Sequence, residues 1–218
     1  MFEVGPGLGV LTRYLSERVA FIHAAEVDRR LWAHLDGIPK TEVHWGDALR
    51  LDIASLQPPP RKLVANLPYN IATPVVAESL SVGQFERWCV MVQREVADRF
   101  FAVPSTKAYG SVSVLVQLAT ERTGLHAVSR EVFRPKPNVD SALVAFRRIA
   151  PGATPRVKKI AEAGFGHRRK TLANSLQLAG VAEREPAVSA LAAIGRRADS
   201  RAEALEPAEF VDLVAALS

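Results

Sequence analysis

Cysteine is almost absent from this sequence. Cys89 is the only one in 218 residues, so the chain cannot form an intramolecular disulfide or a cysteine-based zinc site. The five histidines show no spacing typical of metal ligands, and we expect no metal. No uncharged apolar run reaches the roughly 18 residues of a membrane-spanning helix. The start, M-F-E-V-G, has neither the basic nor the apolar region of a signal peptide. We therefore expect a cytoplasmic protein.

The positive charge of the chain is concentrated in one segment. The net charge is +5, but residues 147–170 hold eight basic residues and one acidic residue, Glu162. The rest of the chain is therefore slightly acidic. Such a concentration favours a polyanionic partner such as nucleic acid, and a solvated surface is the alternative.

Short β-branched or aromatic runs alternate with helical patterns along most of the chain. This alternation is typical of a mostly parallel sheet covered by helices on both faces. Residues 121–128 and 141–147 have no long helix between them, so we expect them to form an antiparallel edge. The other predicted strands are residues 1–4, 20–27, 42–45, 62–65 and 88–92.

After residue 149 the pattern becomes purely helical, behind the linker P-G-A-T-P. We therefore expect an α/β domain of residues 1–150 and a small all-helical domain of residues 151–218. The predicted helices of the second domain are residues 157–165, 171–178, 187–194 and 207–217.

A glycine-rich turn, G-P-G-L-G, follows the first predicted strand. Gly5, Gly7 and Gly9 would let a ligand approach the backbone there. The spacing differs from the G-x-G-x-x-G of dinucleotide enzymes, and Pro6 removes an amide donor. The turn therefore favours a ligand without phosphate, such as S-adenosylmethionine, over a nicotinamide cofactor. A purely structural turn is the alternative.

Acidic residues end the second and third predicted strands. Glu26 lies about 20 residues after the glycine turn, where a carboxylate can bind both ribose hydroxyls. Asp28 is better placed to cap the following helix. Asp47, followed by Ala48, can accept a hydrogen bond from the cofactor's adenine amine, and a helix cap is its alternative role. We assign Glu26, Asp47 and Ala48 to the cofactor site.

The most informative motif is N-L-P-Y at residues 66–69, after the fourth predicted strand. The Asn66 side-chain carbonyl and the Leu67 backbone carbonyl could accept both N–H groups of an exocyclic amine, which would localise its lone pair. Pro68 would fix the turn, and Tyr69 would offer a face on which a base stacks. Positioning and electrostatics would then carry methyl transfer. Asn66 is also assigned to the cofactor site.

These motifs resemble the KsgA (RsmA) family of small-subunit ribosomal RNA adenine dimethyltransferases. E-V-G-P-G-L-G-V-L-T, E-V-D, G-D-A and N-L-P-Y-N-I-A-T-P match that family in order and spacing. So do Q-R-E-V-A-D-R-F, K-A-Y-G-S-V-S-V, F-R-P-K-P-N-V-D-S-A-L-V and F-G-H-R-R-K-T-L-A-N-S-L. The resemblance therefore covers nearly the whole chain.

The resemblance implies a doubly wound, Rossmann-like methyltransferase sheet and S-adenosylmethionine as cofactor. It implies that two adjacent adenosines of 16S rRNA are methylated twice at N6, within the 30S subunit during its maturation. We expect a monomer. The family carries a segment before its first strand that closes over the cofactor, whereas this chain begins inside that strand. We therefore expect this chain to bind S-adenosylmethionine weakly.

Four further residues are assigned to RNA binding. Phe133, in F-R-P-K-P, is expected to be a second stacking face, with core packing as its alternative. Arg168, Arg169 and Lys170 are predicted to start a helix, where cations oppose the helix dipole. Such a placement is better explained by contact with RNA phosphates.

Two other functions remain open from the sequence. An erythromycin-resistance type methyltransferase, which modifies large-subunit rRNA, shares the glycine turn and the N-L-P-Y turn of residues 66–69, here named the catalytic turn for its predicted role. The K-A-Y-G and H-R-R-K-T-L-A-N-S-L stretches argue against it. A non-catalytic RNA-binding factor of ribosome assembly would not need the geometry of residues 66–69.

Overall fold

The computed structural model describes residues 1–217. Within them, one sheet contains seven strands, which are β1 (Phe2–Val4), β2 (Ile22–Glu26), β3 (Thr41–Trp45), β4 (Lys62–Asn66), β5 (Arg87–Gln93), β6 (Thr120–Val128) and β7 (Ser141–Arg148). Their order across the sheet is β3-β2-β1-β4-β5-β7-β6. The order reverses beside β1, and ligands of open α/β sheets bind where the order reverses.

The first five strands are parallel and β7 is not. β1 lies between β2 and β4, β2 also pairs with β3, and β4 also pairs with β5. All four pairings are parallel. β7 runs antiparallel to β5, with Trp88 opposite Phe146. The predicted doubly wound sheet with an antiparallel edge is therefore confirmed. All five parallel strands place their carboxyl ends at one edge.

The helices follow the strands in the predicted alternation and then continue without strands. They are α1 (Val10–Ser16), α2 (Trp32–Leu35), α3 (Ala72–Ser81), α4 (Arg94–Phe100), α5 (Ser111–Ala119), α6 (Pro155–Gly166), α7 (Leu172–Leu178), α8 (Arg184–Ala193) and α9 (Pro207–Ala216). Within residues 1–217, none of these helices has the length and apolarity that crossing a membrane requires.

The sheet core depends on alternation along β5. Trp88, Val90 and Val92 are fully buried, whereas the residues between them are partly exposed. The Trp88 ring stacks on Phe146 with centroids 5.2 Å apart, and its Nε1 donates to Ser79 Oγ at 2.7 Å. Burying a large aromatic side chain with its polar atom satisfied is strongly stabilising. This packing holds β5, β7 and α3 together.

The chain divides into two compact units. The first comprises Met1–Ala97 with Glu121–Ile149, and the second comprises Asp98–Thr120 with the residues from Ala150 onward. The sequence predicted a single division at residue 150, with residues 98–120 in the α/β domain, whereas here Asp98–Thr120 groups with the helical unit. The difference arises because the Tyr109 hydroxyl donates to the Leu205 carbonyl at 2.9 Å, and Val114 joins the buried core of the second unit.

Candidate active site and RNA-binding residues

Three glycines in the left-handed region shape the turn between β1 and α1. The φ angles of Gly5, Gly7 and Gly9 are 67°, 57° and 77°, which only glycine adopts without strain. A Cβ at Gly5 would lie 3.1 Å from Pro68 Cγ, so the glycine turn packs directly on the catalytic turn. A Cβ at Gly7 would meet nothing within 4 Å, but Gly7, although predicted to bind the cofactor, does not line the cavity described below.

Gly9 has a different role from the other two glycines. A Cβ there would lie 3.0 Å from both Ile38 Cδ1 and Leu35 Cδ2. The absence of a side chain at Gly9 therefore permits close packing at the start of α1, and the structure does not place Gly9 in the cavity described below.

The Glu26 carboxylate anchors the glycine turn to the end of β2. It is 6% exposed, and Oε2 accepts from the Gly7 amide at 3.2 Å. Oε1 accepts from the amides of Val27 and Asp28 at 2.8 and 2.9 Å. A buried carboxylate held by three amides keeps a fixed orientation, as a ribose ligand requires.

Asp28 caps the short helical turn that follows β2, as predicted. Its Oδ1 accepts from the Arg30 amide at 3.0 Å. The hydrogen bonds from the Arg30 side chain and amide lower the pKa of Asp28 to about 2. The Asp28 carboxylate is therefore paired with Arg30 and does not line the ligand cavity described below.

A cavity of about 320 Å³ opens at the carboxyl edge of the sheet. It brings together four predicted cofactor residues, Gly5, Glu26, Asp47 and Ala48, from three separate strand ends. Asp47 also caps its own turn, because its Oδ1 accepts from the Leu49 amide at 3.0 Å. The lining further includes Val4, Ala25, Val27, Gly46, Pro68, Asn70 and Ile71.

Asn70 and Ile71 were not singled out from the sequence. They follow Tyr69 directly and belong to the N-L-P-Y-N-I-A-T-P stretch. Their position in a stretch that resembles the KsgA family is the sequence feature that could have assigned them to the site. Asn66, assigned to both sites, lines the neighbouring cavity instead.

The neighbouring cavity, of about 290 Å³, contains all four residues of the catalytic turn. Its lining is Asn66, Leu67, Pro68, Tyr69, Phe133, Pro135 and Pro137. Pro68 lines both cavities, so they meet at that residue.

The two proposed acceptors of the catalytic turn are available. The Asn66 side chain is exposed, and no residue within 1–217 forms a hydrogen bond with its amide group. The Leu67 amide donates to the Met91 carbonyl at 3.0 Å, which fixes the turn, while no donor in the described chain contacts the Leu67 carbonyl. Both oxygens can therefore accept from a ligand.

Two aromatic rings from distant parts of the sequence line the same cavity. Tyr69 Oη lies 2.7 Å from Ser141 Oγ at the start of β7, which restricts the ring. Phe133 is half-buried and follows a short helical turn. The predicted second stacking face therefore lies beside the first. Ser141 was not identified from the sequence, because nothing local links it to Tyr69.

The basic residues 168–170 do not start a helix. α7 begins at Leu172 and is capped by Thr171, whose side chain accepts from the Asn174 amide. The three cations lie beyond the end of α6, where the helix dipole favours positive charge. Their predicted position at the start of a helix, where the dipole would be unfavourable, is therefore wrong, and their role depends on their contacts.

Those contacts separate Arg168 from its two neighbours. Arg168 Nη2 donates to the carbonyls of Lys107 and Tyr109, each at 3.0 Å. The side chains of Arg169 and Lys170 are exposed, and no side-chain partner for them occurs within residues 1–217. Arg168 therefore supports the K-A-Y-G loop, and the other two are available to a polyanion.

Part of the basic segment is used inside the protein. Arg148 Nε donates to the Phe85 carbonyl at 2.6 Å, and burial lowers its pKa. Arg147 forms an ion pair with Glu121. The charge count along the sequence therefore overstates the charge presented to a partner.

Two proteins of known structure have a similar fold. A dimethyladenosine transferase from Plasmodium falciparum matches with a TM-score of 0.75 and 22% identity, over 97% of this chain and 87% of that one. The 23S rRNA methyltransferase ErmE matches with a TM-score of 0.61 and 27% identity, over 99% of this chain and 89% of that one. Both support the methyltransferase sheet.

Sequence comparison identifies the family. The ribosomal RNA small subunit methyltransferase A of Rubrobacter xylanophilus is 44% identical over 225 residues, covering 100% of this chain and 85% of that protein. Its counterpart in Streptococcus pneumoniae serotype 2 is 40% identical over 236 residues, covering 100% and 81%. The family model for ribosomal RNA adenine dimethylase matches residues 1–217, and the chain belongs to that family.

Proposed function

We propose that this protein transfers methyl groups from S-adenosylmethionine to N6 of two adjacent adenosines in 16S rRNA, giving N6,N6-dimethyladenosine. Membership of the ribosomal RNA adenine dimethylase family supports the reaction. The two relatives named small subunit methyltransferase A support the choice of rRNA. We further propose that it acts as a cytoplasmic monomer on the 30S particle during maturation.

The observation that carries this proposal is that two cavities meet at Pro68. One holds Glu26 and Asp47, and the other holds Asn66, Tyr69 and Phe133. A methyl donor in the first and a base in the second would approach each other at the catalytic turn. Holding two reactants in this way removes much of the entropic barrier of a bimolecular transfer.

The first cavity fits S-adenosylmethionine by the chemistry of its residues. The buried Glu26 carboxylate supplies acceptors for ribose hydroxyls, and Asp47 supplies an acceptor for an adenine amine. Gly7 does not line this cavity, but its amide donates to Glu26 Oε2 at 3.2 Å and so helps to hold that carboxylate in place. When bound, the cofactor supplies a methyl group already activated by its sulfonium.

The second cavity prepares the nucleophile. The lone pair of an adenine N6 amine is delocalised into the ring, which makes the amine a poor nucleophile. Hydrogen bonds from its two N–H groups to Asn66 Oδ1 and the Leu67 carbonyl would turn the nitrogen towards tetrahedral geometry. Tyr69 and Phe133 would hold the ring by stacking, which contributes about 1–3 kcal/mol per base. No general base is needed before transfer.

The deciding experiment is transfer of radiolabelled methyl groups to unmodified 30S and 50S particles, assayed side by side. We expect label in the 30S particle only, recovered as N6,N6-dimethyladenosine after digestion. Label in the 50S particle alone would instead indicate an erythromycin-resistance type enzyme. Binding to 30S particles without transfer would indicate an assembly factor. An Asn66→Ala variant, assayed in the same way, gives the background labelling of each particle.

A further inference from the structure

We propose that His23, Glu42 and His44 form a binding site for one divalent ion of the zinc class. One side-chain ligand atom from each residue lies within 4.8 Å of the other two. No metal-ligand spacing is visible in the sequence, because His23 comes from β2 and the other two ligands come from β3. The site is separate from both cavities of the proposed active site.

Parallel pairing of β2 with β3 assembles the cluster. His23 is the register partner of Glu42, and paired residues of neighbouring strands project from the same face of a sheet. His44 lies two residues beyond Glu42, so it projects from that face as well. Any change of register by one residue would turn one strand's ligands away from the other's.

The surroundings of His23 fix which nitrogen bears a lone pair. The side chain is fully buried, and Nε2 lies 2.9 Å from the Pro58 carbonyl oxygen. Since a carbonyl can only accept, Nε2 carries the proton, and Nδ1 presents its lone pair to the cluster. A histidine that donates its second N–H to a backbone carbonyl is the usual arrangement of a metal ligand.

The distances between ligand atoms suit a tetrahedral ion. His23 Nδ1 lies 3.0 Å from His44 Nε2 and 3.5 Å from Glu42 Oε2, and His44 Nε2 lies 3.9 Å from that oxygen. With zinc–ligand bonds of about 2.0–2.2 Å, tetrahedral ligand atoms are on the order of 3.3 Å apart. The Glu42 side chain is 54% exposed, so it can adjust, and solvent can supply a fourth ligand.

The donor set selects the ion. Two imidazoles and a carboxylate suit zinc, cobalt, nickel or copper. Calcium and magnesium are disfavoured, because they bind through oxygen and the protein offers only one carboxylate here. In the protein alone, a proton on His44 Nε2 would bridge to His23 Nδ1. The ion would take the place of that proton between the two nitrogens.

The ion would strengthen the pairing of an edge strand. β3 lies at the end of the sheet, and β2 and β3 lead to Glu26 and Asp47 at their carboxyl ends. Cross-linking the two strands would stabilise the positions of these cofactor-site residues. The proposal therefore predicts a gain in thermal stability on binding.

The test uses the untagged 218-residue chain, stripped of metal and titrated with ZnCl₂ and with CoCl₂. We expect one equivalent of each ion to bind, with visible absorption from tetrahedral cobalt and an increase in Tm. Glu42→Gln and His44→Gln each remove a proposed ligand, so each should weaken binding by at least the roughly 10–100-fold that losing an outer-shell partner of a ligand costs. His126→Gln, which alters an exposed histidine of the same unit, should bind as the wild type does.

Glu42 and His44 are both partly exposed, so their variants are expected to fold, which circular dichroism would verify. If the wild type takes up no stoichiometric zinc, the proposal is wrong. It is equally wrong if the two variants retain wild-type affinity, because the ion would then bind elsewhere.

Discussion

The hydroxyl of Tyr69 lies 2.7 Å from that of Ser141. This contact joins the catalytic turn at the end of β4 to the first residue of the antiparallel strand β7. It holds the Tyr69 ring in the wall of the cavity that also contains Phe133. The hydroxyl therefore orients the ring, and the ring face is what a base would contact.

Substitution of Tyr69 should separate these two contributions. Tyr69→Phe and Ser141→Ala each remove only the hydrogen bond, and we expect methyl transfer to fall by less than about tenfold, since such a bond contributes about 1 kcal/mol. Tyr69→Ala should lose substantially more, because stacking is lost as well. Single-turnover rates on 30S particles would measure this. Equal impairment of the Phe and Ala variants would contradict a stacking role.

Asn66→Ala should reduce transfer strongly without altering the fold. The side chain is exposed and its amide group has no hydrogen-bond partner within residues 1–217, so its loss should leave the free energy of unfolding nearly unchanged. We expect the single-turnover rate at saturating RNA to fall by at least about tenfold, consistent with loss of one positioned acceptor. A rate within a factor of about two of wild type would rule out the proposed contact.

Glu26→Gln should weaken binding of S-adenosylmethionine. The carboxylate accepts three backbone amides through its two oxygens, and a glutamine would direct an NH₂ group at one or two of them. The Gly7 turn should loosen as a result. Calorimetric titration with the cofactor would measure the loss, and Glu17→Gln, which changes an exposed glutamate of the same unit, is the control. Unchanged affinity for the Glu26 variant would exclude this residue from the cofactor site.

Arg168 should behave differently from Arg169 and Lys170. Arg168→Ala removes two hydrogen bonds to the K-A-Y-G loop, so we expect it to lower the urea midpoint of unfolding. Replacing Arg169 and Lys170 together should leave that midpoint unchanged. It should reduce the slope of log K against log salt for rRNA binding by about one to two units, since each phosphate contact contributes about 0.7–0.9.

Affinity for S-adenosylmethionine provides the control for these basic residues, because Glu26 and Asp47 are untouched. Parallel salt dependence of the wild type and the double variant would show that Arg169 and Lys170 do not contact phosphate.

Glu3→Gln should change how stability depends on pH. Glu3 is 1% exposed, and burial raises its pKa from 4.5 to about 7. The Glu3 carboxyl group therefore ionises at lower pH in the unfolded chain than in the folded protein. Below about pH 4.5 both states are protonated, and the cost of ionising Glu3 grows to about 3 kcal/mol by about pH 7. The buried carboxylate thus destabilises the protein at neutral pH.

We expect Glu3→Gln to gain stability relative to the wild type as the pH rises from about 5 to about 8. Urea unfolding of both proteins across this range would measure the gain. Glu17→Gln, which makes the same change at an exposed site, is the matched control. A constant difference between Glu3→Gln and the wild type across the whole range would show that Glu3 titrates normally.

Much of the architecture follows from local patterns. The alternation of apolar runs and helical spacing predicted the strands and their parallel arrangement, because each pattern depends on residues a few positions apart. The residues at the ends of the first three strands, including Glu26 and Asp47, were predicted to meet because parallel strands end at a common edge. The sequence alone therefore determined the fold class and four of the residues that line the cavity proposed for the cofactor, Gly5, Glu26, Asp47 and Ala48.

Tertiary structure decided which distant side chains meet. Tyr69 with Ser141, and His23 with Glu42 and His44, depend on strand register, which no local pattern contains. The assignment of Asp98–Thr120 to the helical unit depends on the burial of Tyr109 and Val114 among residues far along the chain. Arg148 and Arg168 count as surface charge in the sequence, but folding directs them to backbone carbonyls. A charged side chain is available to a partner only when folding leaves its hydrogen bonds unmet, and that depends on the whole structure.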